Sequence, residues 1–273
     1  MSAISIPITA GPSEPTHTVV FLHGRGDNAR SFRASLEHSR DSKGRTLFEA
    51  FPSFRWVFPE APMRKCASAP ETWRQWFDVW DVRDFAANEG LQAEGLKDVV
   101  PSIRRILADE AARIKGRWDR VILAGISMGG ATSAHVLFNL DIPLAVGGRL
   151  GAFLGFSCRC PFAGRDLAGM REVLGLKDVP DHGRVVRDTP VLLEHCANDP
   201  LVPVQSGRGL CATLRGFGAR VEWKEYPDGG HWFNSPAGMD DVVGFLNTHL
   251  GVADSAGVPA GLQRADPNAM DLS

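Results

Sequence analysis

Hydrophobic and polar positions along this chain switch repeatedly between two periods. Thr18-Val19-Val20-Phe21-Leu22 is a continuous apolar run, which suits a strand buried on both faces. Phe54-Arg55-Trp56-Val57-Phe58, the β-branched run over 120–124, the stretch 150–156 and Val191-Leu192-Leu193-Glu194 read the same way. Arg220 to Tyr226 alternates and predicts the last strand. Ile4-Ser5-Ile6-Pro7-Ile8 predicts an edge strand, where proline is tolerated. Between these runs the spacing changes to three and four. Leu96, Val99, Val100, Ile103, Ile106, Leu107 and Ile114 form one helical stripe. Pro101 interrupts it, so either a helix begins near Asp98 with the proline in its first turn, or a longer helix kinks there. Further helices are expected within 29–40, over 130–138, once within 163–189, and from Val204 to Gly216. The last carries Met239, Val242, Val243, Leu246 and Leu250, with Ser235 as its cap and Pro236 at its first position.

Strand alternating with helix predicts an α/β fold, a mostly parallel central sheet with helices on both faces. Residues 1–250 are read as a single domain. Residues 251–273 are rich in Ala, Gly, Pro and Asp without a period, and a disordered tail is expected there. Residues 63–90 lose periodicity, which points to a long functional loop. Trp73, Trp76, Phe77 and Trp80 cluster in it and are expected to wall a binding pocket. Such walls would favour short or planar groups.

Composition narrows the function. The 273 residues carry a net charge of −2 and no basic stripe, which argues against nucleic acid as a partner. No apolar run approaches the ~18 residues of a membrane span. The first residues lack the basic start and apolar block of a secretory signal. The five cysteines, Cys66, Cys158, Cys160, Cys196 and Cys211, have no zinc spacing and read as reduced, buried thiols of a cytoplasmic protein. Neither a metal nor another cofactor is expected.

The chemistry centres on Gly125-Ile126-Ser127-Met128-Gly129, which joins a predicted strand to a predicted helix. That context is what a nucleophile elbow requires. The turn is tight enough to demand glycine on either side of a strained serine, and it presents the Ser127 hydroxyl above the sheet. The Met128 N–H then sits at a helix N-terminus, where an oxyanion would develop. The loop His23-Gly24-Arg25-Gly26 follows another strand, and the Arg25 N–H is the candidate second donor. Asp199 and His231 also follow predicted strands. Ligand chemistry in α/β sheets gathers at those strand ends. The chain order serine, acid, histidine suits a Ser127–His231–Asp199 triad. Asp228 lies too near His231 in sequence to be the acid. His195 is expected to order the Asp199 loop, and His23 to form hydrogen bonds behind the oxyanion loop. His135 lies two turns along the helix from Ser127.

These pieces together resemble the acyl-protein thioesterase/carboxylesterase family, the phospholipase/carboxylesterase group of α/β-hydrolases. The matching stretches are Val20 to Asp27, Pro59-Glu60-Ala61-Pro62, Trp76 to Val79, Gly125 to Ala131, Leu193 to Pro203, and Tyr226-Pro227-Asp228-Gly229-Gly230-His231. The resemblance implies a cofactor-free serine esterase or thioesterase. It implies Ser127 as nucleophile, Asp199 as acid, His231 as base, and the N–H groups of Arg25 and Met128 as oxyanion hole. The chain departs from the family pattern at Arg25, often Leu, and at Met128, often Gln. Where the family tends to read Ser-Gly-Trp-Leu-Pro, this chain has Ser157-Cys158-Arg159-Cys160-Pro161. The implied partner is an ester or thioester of a small molecule or an acylated protein, and a homodimer is left open. The alternatives are a lysophospholipase or lipase, or a non-catalytic binding protein on the same fold.

Overall fold

The computed structural model describes residues 4–252. The strands are β1 (Ser5–Ala10), β2 (His17–Leu22), β3 (Phe54–Glu60), β4 (Met63–Lys65), β5 (Thr72–Arg74), β6 (Val121–Ile126), β7 (Ala152–Phe156), β8 (Val191–Cys196) and β9 (Val221–Tyr226). The α-helices are α1 (Ala29–Leu36), α2 (Leu47–Ala50), α3 (Gly90–Arg113), α4 (Met128–Phe138), α5 (Leu167–Leu174), α6 (Arg184–Asp188), α7 (Val204–Gly216) and α8 (Ala237–Leu250). Among the described residues, seven strands form one sheet in the order β1-β3-β2-β6-β7-β8-β9. Every neighbouring pair is parallel except β1 with β3. The carboxyl ends of β2, β6, β7, β8 and β9 therefore lie along one edge of the sheet.

The continuous apolar runs have the cause expected of them. Every residue of β2, β6, β7 and β8 is buried, because helices cover both faces. Side chains two apart share a face. Val20, Leu22, Leu123, Phe153 and Leu193 pack with α3, α4 and α7. Val19, Phe21, Ile122, Leu154 and Phe156 pack with α1 and α8 on the other side. The edge strand β9 alternates, with Tyr226 buried and Glu222 and Glu225 exposed.

Pro101 lies inside α3, so the helix is the longer of the two alternatives. It presents Leu96, Val99, Val100, Ile103 and Leu107 to the core, and that buried stripe holds it through the proline. Four expectations change. The segment 63–90 contains a hairpin, β4 with β5. The segment 163–189 holds two helices, α5 and α6, not one. The short helix α2 was not anticipated; its Thr46–Glu49 capping box is the signal that was passed over. Ser235 does not cap α8. Its hydroxyl donates to the Arg40 carbonyl at 2.7 Å and accepts the Arg40 N–H at 3.1 Å, tying α8 to the loop after α1. The tail expected over 253–273 lies outside the described residues.

Candidate active site

Between the last residue of β6 and the first of α4 stands one residue, Ser127. Its backbone has φ 56° and ψ −124°, a conformation that costs a non-glycine residue about 1–3 kcal/mol. The surroundings impose it. The Ser127 N–H donates to the Phe156 carbonyl at 2.9 Å, and the Ser127 carbonyl accepts the Ala131 N–H at 3.0 Å. A Cβ at Gly125 would lie 2.5 Å from the Gly129 carbonyl, and one at Gly129 would meet the Leu22 and His23 carbonyl oxygens. Only glycine lets strand, turn and helix approach this closely.

The loop after β2 lies beside the serine. A Cβ at Gly24 would stand 3.5 Å from Ser127 Cβ. His23 fixes this loop from behind. Its Nε2 accepts the Ala61 N–H at 3.1 Å, so Nδ1 carries the proton and donates to the Gly24 carbonyl at 2.7 Å. Burial lowers its pKa and keeps the ring neutral. Met128 begins α4, and its N–H has no intrahelical acceptor.

Asp199 is held three residues beyond β8. Its Oδ1 accepts the N–H groups of Leu201 at 2.8 Å and Val202 at 2.9 Å. Its Oδ2 faces two imidazoles, His231 Nδ1 at 2.7 Å and His195 Nε2 at 3.3 Å. The carboxylate is wholly buried, whereas the His231 side chain is 18% exposed. His195 Nε2 also donates to the Val202 carbonyl at 2.8 Å, so its proton sits on that nitrogen. Burial pulls the His195 pKa down, against the opposing pull of Val202 and Asp199. Asp199 thus receives two backbone N–H groups on Oδ1 and orients His231 through Oδ2. Asp228 is exposed and makes no bond to His231. Burial takes His135 down to about 4, and its Nε2 faces the Pro161 carbonyl at 3.2 Å. The five cysteines are free and buried, and burial pushes Cys158 and Cys160 up to about 12, which leaves them protonated. Among the described residues, no group of three His, Cys, Asp or Glu side chains is placed to hold a metal.

Ser127, Met128, Gly24, Arg25 and His231 line one cavity of about 700 Å³. A recess of about 350 Å³ near Arg33, Phe48 and Trp56 holds no serine, cysteine or histidine. The Trp73–Trp80 block divides. Trp73 and Phe77 line the cavity. Trp76 does not: it is fully buried, and its indole N–H donates to the His23 carbonyl at 2.8 Å. Trp80 is 41% exposed and lies outside the lining. The expectation that all four aromatics wall the pocket is corrected: the segment turns two into the cavity, one into the core and one outward. Trp76→Ala should therefore cost about 3–5 kcal/mol of stability, as large buried aromatics do. It should leave the acyl-chain-length profile unshifted; thermal melts alongside kcat/KM for a series of esters test this. Sequence reasoning missed Val82, Phe85, Arg159, Leu201 and Trp232 of the lining. Arg159 had a signal, since it sits in the stretch that departs from Ser-Gly-Trp-Leu-Pro.

Residues 5–250 match the phospholipase/carboxylesterase family. The chain belongs to the phospholipase/carboxylesterase family. It is accordingly a hydrolase on the α/β-hydrolase fold. Acyl-protein thioesterase 1 of Gibberella zeae is 28% identical over 244 residues, covering 87% of this chain and 92% of that one. A protein of Oryza sativa subsp. japonica named a probable inactive carboxylesterase is 32% identical over 221 residues, covering 78% of this chain and 77% of its own length. The crystal structure of Zea mays acyl-protein thioesterase 2 superposes with a TM-score of 0.67 at 25% identity, over 90% of this chain and 99% of that one. Within the phospholipase/carboxylesterase family, then, this chain has relatives named as acyl-protein thioesterases and a relative named as a probable inactive carboxylesterase. No helix among the described residues is long and apolar enough to cross a membrane.

Proposed function

We propose that this chain hydrolyses carboxylic esters or thioesters of acyl groups through a Ser127–His231–Asp199 triad. The observation that carries the reading is the 2.7 Å contact of His231 Nδ1 with buried Asp199, at a cavity that also contains the strained Ser127. Asp199 keeps the proton of neutral His231 on Nδ1, which leaves Nε2 free to take the Ser127 proton. Ser127 Oγ attacks the acyl carbonyl, and the oxyanion is met by the N–H groups of Arg25 and Met128. His231 returns the proton to the leaving oxygen or sulfur, giving an acyl-enzyme. Water, deprotonated by His231, then releases the acid. No cofactor enters the scheme. Residues 1–250 act as the single catalytic domain, in the cytoplasm, on a small-molecule or acylated-protein substrate.

The rice relative named as a probable inactive carboxylesterase favours a second reading, a ligand-binding protein on this fold. Paired oxygen esters and thioesters of increasing chain length separate the two. Turnover that saturates with substrate and disappears in Ser127→Ala supports the enzyme; binding without turnover supports the alternative.

A further inference from the structure

Arg159 is a charged side chain that the proposed mechanism does not use. It follows β7 and is 92% buried by its 8% relative exposure, yet it lines the cavity that contains Ser127. One nitrogen, Nη2, donates to Gln92 Oε1 at 2.6 Å. Gln92, fully buried on α3, is fixed in turn by donating to the Phe85 carbonyl at 2.7 Å. The guanidinium carbon lies 4.1 Å from the Phe85 ring centroid and 5.7 Å from that of Phe77. Aromatic rings therefore flank the cation and leave its in-plane N–H groups for recognition.

What the group lacks is a counter-ion. Glu89 is near enough to favour the charged form, but its Oε1 accepts the Phe162 N–H at 2.6 Å and it forms no ion pair with Arg159. Among the described residues no carboxylate pairs with Arg159, and its Nε and Nη1 have no protein acceptor. These nitrogens are not among the sealed, unpartnered atoms of the interior, so they keep accessible surface on a side chain that lines the cavity. Burial takes Arg159 down to about 10, which leaves it charged at neutral pH. A buried, unpaired guanidinium is costly unless something completes it. Arg25 lines the same cavity and adds to its positive potential, while Arg83 is paired with Asp81 at 3.4 Å and Asp27 spends one oxygen on the Asn28 N–H at 2.8 Å.

We infer that the cavity selects esters or thioesters bearing a carboxylate, which Arg159 receives. A planar carboxylate takes two in-plane N–H groups on one edge of the guanidinium, the second Nη2 hydrogen together with that of Nε or of Nη1. The inference rests on the esterase reading of Ser127 and names the substrate class of that site. The carboxylate can belong to the acyl part, as in a dicarboxylic hemithioester, or to the leaving group.

Three thioesters distinguish these cases. S-glutaryl-N-acetylcysteamine carries the charge on the acyl part, S-pentanoyl-thioglycolate carries it on the leaving group, and S-pentanoyl-N-acetylcysteamine is neutral. For the wild-type chain, one of the charged thioesters should exceed the neutral one in kcat/KM by about tenfold or more, as a charge-assisted hydrogen bond supplies. The ratio should collapse in Arg159→Met, recover in part in Arg159→Lys, and shrink with added salt. Free glutarate or thioglycolate should inhibit the wild-type chain competitively, and the uncharged diamide of glutarate should not. That last comparison needs no variant. If neither charged thioester is preferred and neither anion inhibits more than the diamide, the inference fails. A preference that survives in Arg159→Met also overturns it. Should the neutral thioester be cleaved without discrimination, the esterase reading stands and only the carboxylate assignment falls. Should no thioester be cleaved and no serine react with a fluorophosphonate, the esterase reading itself falls.

Discussion

Ser127→Ala should leave a folded protein that has lost nearly all of its hydrolysis of esters and thioesters. Without the nucleophile, only substrate binding and the oxyanion hole remain, and in triad enzymes these supply a residual ~10³–10⁴-fold acceleration over water. The backbone makes a companion prediction possible. Ser127 is held at φ 56° and ψ −124°, a conformation that suits glycine far better than serine. Ser127→Gly should therefore be equally inactive but more stable, by about 1 kcal/mol or more of the strain stored there. Activity assays with chemical denaturation of both variants check the pair. Near-normal turnover in Ser127→Ala would remove the residue from the chemistry, and a less stable Ser127→Gly would refute the strain argument.

Asp199→Asn should reduce turnover by about 10⁴-fold, the loss expected when the acid of a triad no longer fixes the imidazole tautomer. All three hydrogen bonds to the Asp199 carboxylate come from donors: two backbone N–H groups on Oδ1 and the His231 imidazole on Oδ2. An asparagine must turn its NH₂ toward one of those two sides. Facing His231, it disfavours the Nδ1–H tautomer; facing Leu201 and Val202, it leaves buried donors unsatisfied, at about 1–3 kcal/mol each. Asp199→Asn should therefore also melt earlier. Asp228→Asn should change neither property, because that side chain is exposed and bonded to neither triad partner. The reverse ranking in steady-state kinetics would transfer the acid role to Asp228.

How far the sequence reaches can be judged from particular elements. The buried strands were legible because helices cover both faces, so their apolar runs have no polar interruption. The strand-end placement of Ser127, Asp199 and His231 was legible because each follows a predicted strand, and the parallel order carries all three to one edge. Pro101 was ambiguous, since local propensity opposes a helix there while the stripe from Leu96 to Leu107 favours one; burial of the stripe prevails. The aromatic block was not legible. Aperiodic residues carry no face information, and only the tertiary fold sends the Trp76 indole to the His23 carbonyl while Trp73 lies under the Arg25 guanidinium, 5.4 Å from its ring. Likewise nothing in the local sequence pairs Arg159 with Gln92, which stands 67 residues away.

The central claim is that His231 and Asp199 activate Ser127. Reaction with an alkyl fluorophosphonate, followed by intact mass and peptide mapping, tests it most directly. The account predicts one adduct per chain, located on Ser127, absent from Ser127→Ala and formed far more slowly in Asp199→Asn. A folded wild-type chain that forms no adduct, or forms it on another serine, would contradict it.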